Sequence, residues 1–337
     1  MKNIILSLVL LALAACGGGG GGGSSSSGFS QTYTASAAAG EVLSYTVDTT
    51  NLKYSYTITQ SSYGCEVATA ACHTGSGTLT KNTDGSYTPS GSPSSKIHAL
   101  QNGLVVGSIL MNLNGTNVTV PIIGVSNPIT TTSEIAGTYN FMSLQCNGTS
   151  YAFCNTSQGT TTVNASGNYT TCVDDDLSNP NPNCTNTTVG LITPLGGGVW
   201  KFQSSSPAIS ANTNYFLAFK APNGQKVALV DFNDPVVYGY GQAIMSTQAA
   251  TTASGNSGNY VYSSNRGTSG VVTVNPNSTT SNGQAITQNA PWNGIATITG
   301  GSYGTGYGLL AGNGVYVYRN PTIPGTPSYM EIGLKIN

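Results

Sequence analysis

A turn dipeptide that recurs along the chain constrains its fold more than any other feature. Asn-Gly occurs at Asn102, Asn114, Asn147, Asn223, Asn282, Asn293 and Asn313, and Asp84-Gly85 adds an acidic version. A two-residue type I′ hairpin needs positive φ at both central positions, which Asn, Asp and Gly tolerate best. The flanks agree. Tyr215, Leu217 and Phe219 alternate with Phe216, Ala218 and Lys220 before Pro222-Asn223-Gly224, and Val227, Leu229, Val230 and Phe232 follow. Ile97 to Gln101 meets Leu104-Val105-Val106 across Asn102-Gly103. Beyond the first residues no window sustains an i, i+3, i+4, i+7 apolar stripe. The expected fold is all-β: antiparallel up-and-down barrel or sandwich lobes joined by tight hairpins, two lobes in number.

The lobes are expected at 29–132 and 133–337, because Ser126-Asn127-Pro128 and Thr130 to Ser133 break the pattern. A second, weaker break falls at 251–258, where Thr251 to Gly258 carries no apolar rhythm. Gly77-Thr78-Leu79-Thr80 with Asp84-Gly85-Ser86-Tyr87-Thr88 is similar to Gly159 to Val163 with Ser166-Gly167-Asn168-Tyr169-Thr170, which reads as a duplicated antiparallel unit. Only 6% of residues are charged and the net charge is −1. That leaves no basic stripe for nucleic acid and no acidic field for steering cations. Gly, Ser, Thr and Asn supply the polarity instead, beside 19 Tyr.

The first residues carry an address. Lys2 precedes an apolar run from Ile4 to Leu13, long enough for a secretory leader and too short to span a bilayer. Leu13-Ala14-Ala15-Cys16 then resembles the lipobox of bacterial lipoproteins. The resemblance implies a signal peptide at 1–15, cleavage before Cys16, a diacylglycerol on its sulfur and a further acyl chain on its amine. Residues 16–28 are then a lipidated cysteine and its Gly/Ser tether. An ordinary signal peptide is the alternative, and it leaves Gly17 to Gly23 without a purpose. Since Gly17 is not the aspartate that retains such proteins at the inner membrane, the resemblance implies the outer membrane, on either its periplasmic or its cell-surface face. A transmembrane barrel is the rival architecture, but the last strand, Tyr329 to Ile336, is followed by Asn337 rather than an aromatic residue.

Beyond Cys16 there are six cysteines: Cys65, Cys72, Cys146, Cys154, Cys172 and Cys184. An even number in an exported chain points to disulfides. Local pairs are expected (Cys65 with Cys72, Cys146 with Cys154, Cys172 with Cys184), each worth about 2–3 kcal/mol for so short a loop. Zinc is disfavoured, because there is no C-x-x-C and the histidines are His73 and His98 alone. Asp174, Asp175 and Asp176 are weak candidates for calcium. Their adjacency does not match the alternating carboxylates of a calcium loop, so a solvated acidic loop is preferred. Asp231 and Asp234, in Asp231-Phe232-Asn233-Asp234-Pro235, read as a turn whose Asx side chains bond their own backbone.

Gly300-Gly301-Ser302-Tyr303-Gly304 fits G-x-S-x-G, but no helix follows and no histidine lies beyond His98. No catalytic constellation survives its context, so the chain reads as a non-enzyme without a cofactor. The expected partners are the membrane, through the anchor, and a small apolar ligand, a glycan or another protein; a structural or adhesive surface protein is the alternative, and an envelope hydrolase the second. Ala136-Gly137-Thr138-Tyr139-Asn140-Phe141 resembles the opening strand of a lipocalin-like up-and-down barrel. Trp200, after a glycine run, and Trp292, at a turn, are the candidate ligand contacts, set against the plainer reading that either plugs a barrel end.

Overall fold

The computed structural model describes residues 28–37, 40–61, 74–93, 95–100, 103–113, 116–147, 154–174, 186–205, 214–221, 223–234, 239–265, 268–290, 293–301, 304–311, 314–320 and 328–336. The expected all-β fold holds, and it contains two closed eight-stranded antiparallel barrels followed by a seven-stranded sheet. The first barrel is formed by β1 (Ser30–Ala37), β2 (Glu41–Asp48), β3 (Lys53–Ser61), β4 (Thr74–Lys81), β5 (Tyr87–Pro89), β6 (Ile97–Leu100), β7 (Leu104–Leu113) and β8 (Thr116–Val125), each paired with the next, with β8 returning to β1. β6 and β7 pair as expected, with Leu100 opposite Leu104.

A one-turn helix, α1 (Thr132–Ile135), opens the second barrel. Its strands are β9 (Gly137–Asn147), β10 (Cys154–Val163), β11 (Asn168–Asp174), β12 (Asn186–Gly196), β13 (Val199–Ser204), β14 (Asn214–Lys220), β15 (Lys226–Asp234) and β16 (Gly239–Thr247). The third sheet opens the same way, with α2 (Ala253–Asn256). β17 (Gly258–Ser264), β18 (Ser269–Val274), β19 (Ala285–Gln288), β20 (Ile295–Gly301), β21 (Gly304–Ala311), β22 (Val315–Arg319) and β23 (Met330–Lys335) follow. β17 pairs with β23, while bridges from Val274 to Thr280 and from Thr279 to Ala285 span the gap between edge strands β18 and β19. The stretch 133–337 thus holds both a complete barrel and a further, barrel-like sheet.

The structure carries a repeat other than the one read from sequence. β4 and β5, which hold Gly77 to Thr88, are the fourth and fifth strands of their barrel; β10 and β11, which hold Gly159 to Thr170, are the second and third of theirs. The similarity between those stretches is therefore one of composition. The real repeat is an entry motif. Each sheet has a buried tyrosine near the start of its first strand: Tyr33, Tyr139 and Tyr260. Tyr139 Oη donates to the Ile135 carbonyl and Tyr260 Oη to the Asn256 carbonyl, four residues back in each case, satisfying a carbonyl at the end of the one-turn helix. The second strand then ends in Val47-Asp48, Val163-Asn164 or Val274-Asn275, followed by a residue of positive φ: Leu52, Gly167 or Ser278.

Strand alternation explains how the three units join. On β14, Phe216 and Ala218 face the interior of the second barrel, whereas Leu217 and Phe219 belong to a larger core shared with the other units. On β22, Tyr316 and Tyr318 point inward and Val315 and Val317 outward into that shared core. Both faces of such strands are buried, which makes their sequence a continuous apolar run. β7 packs against β17 and β23, and β1 against β14 and β15. Arg319 Nη1 donates to Thr156 Oγ1 at 2.8 Å, and Asn140 Nδ2 to the Asn293 carbonyl at 2.8 Å, tying the third sheet to the second barrel. Outward residues elsewhere are of both kinds: Val189, Leu191 and Leu195 are exposed on β12, whereas β3 and β4 of the first barrel are polar outside. Lys53, Ser55, Thr57, Ser76, Thr78 and Thr80 are exposed on β3 and β4, where a membrane barrel needs an apolar band.

Part of the Tyr and Gly content has a shared physical cause. Tyrosine and phenylalanine rings lie across the glycine opposite them on the neighbouring strand: Tyr56 on Gly75, Phe141 on Gly159, Tyr169 on Gly190, Tyr262 on Gly270 and Tyr316 on Gly333. A Cβ at Gly333 would stand 1.9 Å from the Tyr316 ring, and one at Gly75 2.3 Å from the Tyr56 ring. Real side-chain carbons do not approach so closely, so these positions require glycine.

Candidate functional site

The two ends of the second barrel are built differently. At one end the strands are joined tightly, through Asn164–Gly167, through Gly197 and Gly198 (φ 59° and 80°), and through the turn from Ala221 to Gln225. At the other end the connections 148–153, 175–185, 206–213 and 235–238 lie outside the described residues. The tight end is plugged. Ile129, in the segment read as a patternless linker, is buried there and its N–H bonds the Ala218 carbonyl at 2.6 Å. Trp200 Nε1 donates to the Ile129 carbonyl at 3.1 Å.

A cavity of about 370 Å³ occupies the opposite end. Its depth follows from side-chain alternation on eight strands. Phe141, Tyr169, Phe202, Val230 and Met245 form the inner wall, and Ser143, Gln145, Ser157, Thr188, Ser204 and Asn214 come nearer the mouth. Under the inner wall lies an aromatic stack. Tyr169 meets Phe202 edge-on at 4.9 Å, Phe202 lies 4.5 Å from Phe216, and Phe216 stacks on Trp200 at 6.1 Å. Hydroxyl pairs bridge the strands of the wall: Ser143 Oγ to Ser157 Oγ at 2.5 Å and Thr161 Oγ1 to Thr171 Oγ1 at 2.9 Å. Each hydroxyl so engaged retains capacity for another partner. No Asp, Glu, Lys, Arg or His is among the lining residues. Burial pushes the Tyr169 hydroxyl up to about 12, so this ring too stays neutral.

The structure places the sequence candidates as follows. Trp200 is 1% exposed and supports the cavity floor without lining it, so it is core rather than a ligand contact. Trp292, Cys16, Cys65, Cys72, Cys184, Asp175 and Asp176 lie outside the described residues. Cys146 stands directly opposite Cys154 in the β9–β10 ladder, at the mouth end. Cys154 and Cys172 are buried, and Asp174 is the last residue of β11. Among the described residues no three His, Cys, Asp or Glu gather as metal ligands would. Of the G-x-S-x-G stretch, Gly301 pairs with Gly304 where β20 meets β21, and Ser302 and Tyr303 lie outside the described residues. His98 lies in β6 of the first barrel, 6% exposed, and burial lowers its pKa to about 4, which keeps it neutral. The Asx-turn reading of Asp231 fails: it sits in mid-strand on β15, opposite Gln242, and is 1% exposed. The cavity residues escaped sequence reading because Ser and Thr alternate with apolar residues on almost every strand.

The sequence matches no protein-family profile and no curated protein. Among solved structures, the chain is similar to a protein of unknown function from the DUF3598 family of Nostoc punctiforme, at 8% identity and a TM-score of 0.28, over 64% of this chain and 93% of that one. It is also similar to an intact TbpB with N and C lobes, at 9% identity and a TM-score of 0.25, over 88% of this chain and 66% of that one. A mutant of transferrin binding protein B from Haemophilus parasuis matches at 11% identity and a TM-score of 0.22, with the same coverage.

Proposed function

We propose that this chain is a lipid-anchored, non-catalytic protein of the cell envelope that holds an uncharged, largely apolar small molecule in the second barrel. The cavity carries the reading. Its volume lies at the low end of ligand pockets, its inner wall is aromatic and aliphatic, and hydroxyls and amides collect toward the mouth. A charged group entering it would lose hydration without meeting a counter-charge on the lining. The ligand therefore inserts an apolar body and leaves a hydroxyl- or carbonyl-bearing end among Ser157, Thr188 and Asn214. Leu13-Ala14-Ala15-Cys16 and the glycines behind it support the anchor and the outer-membrane address. A Cys146–Cys154 disulfide is supported by their register, since opposite residues on antiparallel strands stand within the Cα span of a disulfide.

The test uses the chain with Cys16→Ser, purified without detergent, and the uncharged fluorophore N-phenyl-1-naphthylamine. Saturable emission enhancement is expected in the parent. Ala243→Phe, which fills the cavity from β16, is expected to weaken binding at least about tenfold, equivalent to about 1.4 kcal/mol. Undiminished binding by a folded Ala243→Phe protein would move the site elsewhere.

A further inference from the structure

The third sheet lacks one strand of the barrel it otherwise repeats. In each complete barrel a full third strand, β3 or β11, stands between the second and the fourth. In the third unit that place holds only Ser278 to Ser281, where Thr280 bridges to Val274 of β18 and Thr279 to Ala285 of β19. The chain then turns back, with the Gly283 N–H on the Thr280 carbonyl at 3.0 Å, and enters β19. Beyond that turn one edge of β18 stands open. The Ser264 N–H bonds the Thr268 carbonyl, so the even-numbered residues of β18 direct their backbone groups at β17 and the odd-numbered ones away from it. Thr273 finds a partner on that outer side. Its carbonyl accepts from the Ser281 N–H at 2.8 Å, and its N–H donates to Ser281 Oγ at 3.1 Å. The N–H and carbonyl groups of Ser269 and Val271 meet no partner there among the described residues.

The same edge interrupts an apolar row. Val315 on β22, Leu334 on β23, Val261 on β17 and Val271 on β18 are successive cross-strand neighbours on the outer face. The first three are at most 2% exposed and lie in the core shared with the other units, whereas Val271 is 47% exposed. β18 carries no charge, proline or bulge that would discourage pairing. N–H and carbonyl groups that recur at every second residue, about 6.8 Å apart, match the backbone of an extended chain. A second copy matches poorly. Pairing β18 with itself through Ser269 and Val271 sets each Val271 against a serine. Pairing Val271 with Val271 instead sets Ser269 against Thr273, whose outer groups Ser281 already holds. We propose that the edge of β18 binds an extended, uncharged segment of a partner polypeptide, antiparallel to β18, with an apolar β-branched residue beside Val271. That segment takes the place of the missing third strand and continues the interrupted row. Its residue opposite Gly270 turns inward beside the Tyr262 ring.

Residue-resolved amide hydrogen exchange tests this on the full chain carrying Cys16→Ser, with the peptide acetyl-Thr-Val-Thr-Val-Thr-amide as probe. In the free protein, Ser269 and Val271 are expected to exchange at least about tenfold faster than Gly270 and Val272, whose N–H groups bond β17. Millimolar peptide is expected to slow Ser269 and Val271 saturably, by about tenfold, and to leave β6 and β7 unchanged. The same peptide N-methylated at both valines cannot donate to the edge and is expected to have no effect. Val271→Lys changes an exposed side chain, keeps the fold, and is expected to weaken the peptide's effect by at least about tenfold. No slowing by the peptide overturns the proposal. So does equal slowing by the methylated peptide, or an undiminished effect in Val271→Lys. Ser269 and Val271 already protected in the free protein overturn it too. Protection lost on dilution then assigns the edge to a second copy, and protection that persists assigns it to another segment of the same chain.

Discussion

The first and second barrels share strand number, topology and entry motif, yet the second has the cavity with the apolar floor and hydroxyl mouth. The difference begins in the first hairpin. Asp48 follows Tyr33 by fifteen positions, and Asn275 follows Tyr260 by fifteen in the third sheet, but Asn164 follows Tyr139 by twenty-five. The extra residues lengthen β9 and β10 to 11 and 10 residues, against 8 each for β1 and β2. They also carry Cys146 and Cys154. The cavity is therefore made by extending the wall above an intact aromatic floor, not by emptying a core.

This comparison can be broken at the floor, where the largest effect is expected. Trp200→Ala removes a fully buried indole and its bond to the Ile129 carbonyl, and should destabilise the chain by about 3–5 kcal/mol, measured by chemical denaturation. A stable Trp200→Ala protein that has lost only ligand binding would make Trp200 a contact and undo the distinction between floor and wall. Next in size, Gly333→Ala should cost about 1–3 kcal/mol through collision with Tyr316, and Tyr316→Ala in the same chain should recover part of it. Additive losses in that double variant would mean that ring and glycine do not interact. Smallest is the turn after the second strand. The second barrel has Gly167 (φ 86°) where the third sheet has Ser278 (φ 62°). Ser278→Gly should raise stability by roughly 1 kcal/mol and Gly167→Ser lower it by a similar amount, as shifts in the denaturant midpoint. Opposite signs would deny that the two turns are equivalent.

Much of the fold was legible because hairpin chemistry is local. The β6–β7 and β14–β15 pairings follow from Asn-Gly and alternation alone. Alternation was less decisive than it looked on β14, where Phe216 to Phe219 are all buried because one face fills a barrel and the other a joint. The duplicated unit misled because Thr, Ser and Gly recur everywhere, whereas the tyrosine entry motif is a single residue per unit. Trp200 was singled out for scarcity, and scarcity says nothing about which side of a strand a residue occupies. Asp231 was misread for a related reason. A carboxylate beside Asn and Pro is usually a turn, and only packing between barrels makes it a buried strand residue. The cavity itself was invisible, since Ser157 and Thr188 differ from dozens of other hydroxyl positions only in which way they point.

The rings lying on glycines have a consequence for how such a chain finds its pairing. In strands where Thr follows Thr and both faces are polar or both apolar, the hydrophobic pattern alone discriminates poorly between neighbouring registers. A ring that fits only over a residue without a Cβ adds a second criterion. Sliding β22 by two residues along β23 keeps every side chain on its proper face, yet sets Tyr316 against Glu331 or Lys335 in place of Gly333. Each Tyr–Gly pair thus acts as a notch, and at least one such pair in every sheet gives this compositionally monotonous chain a means of rejecting its own near-misses.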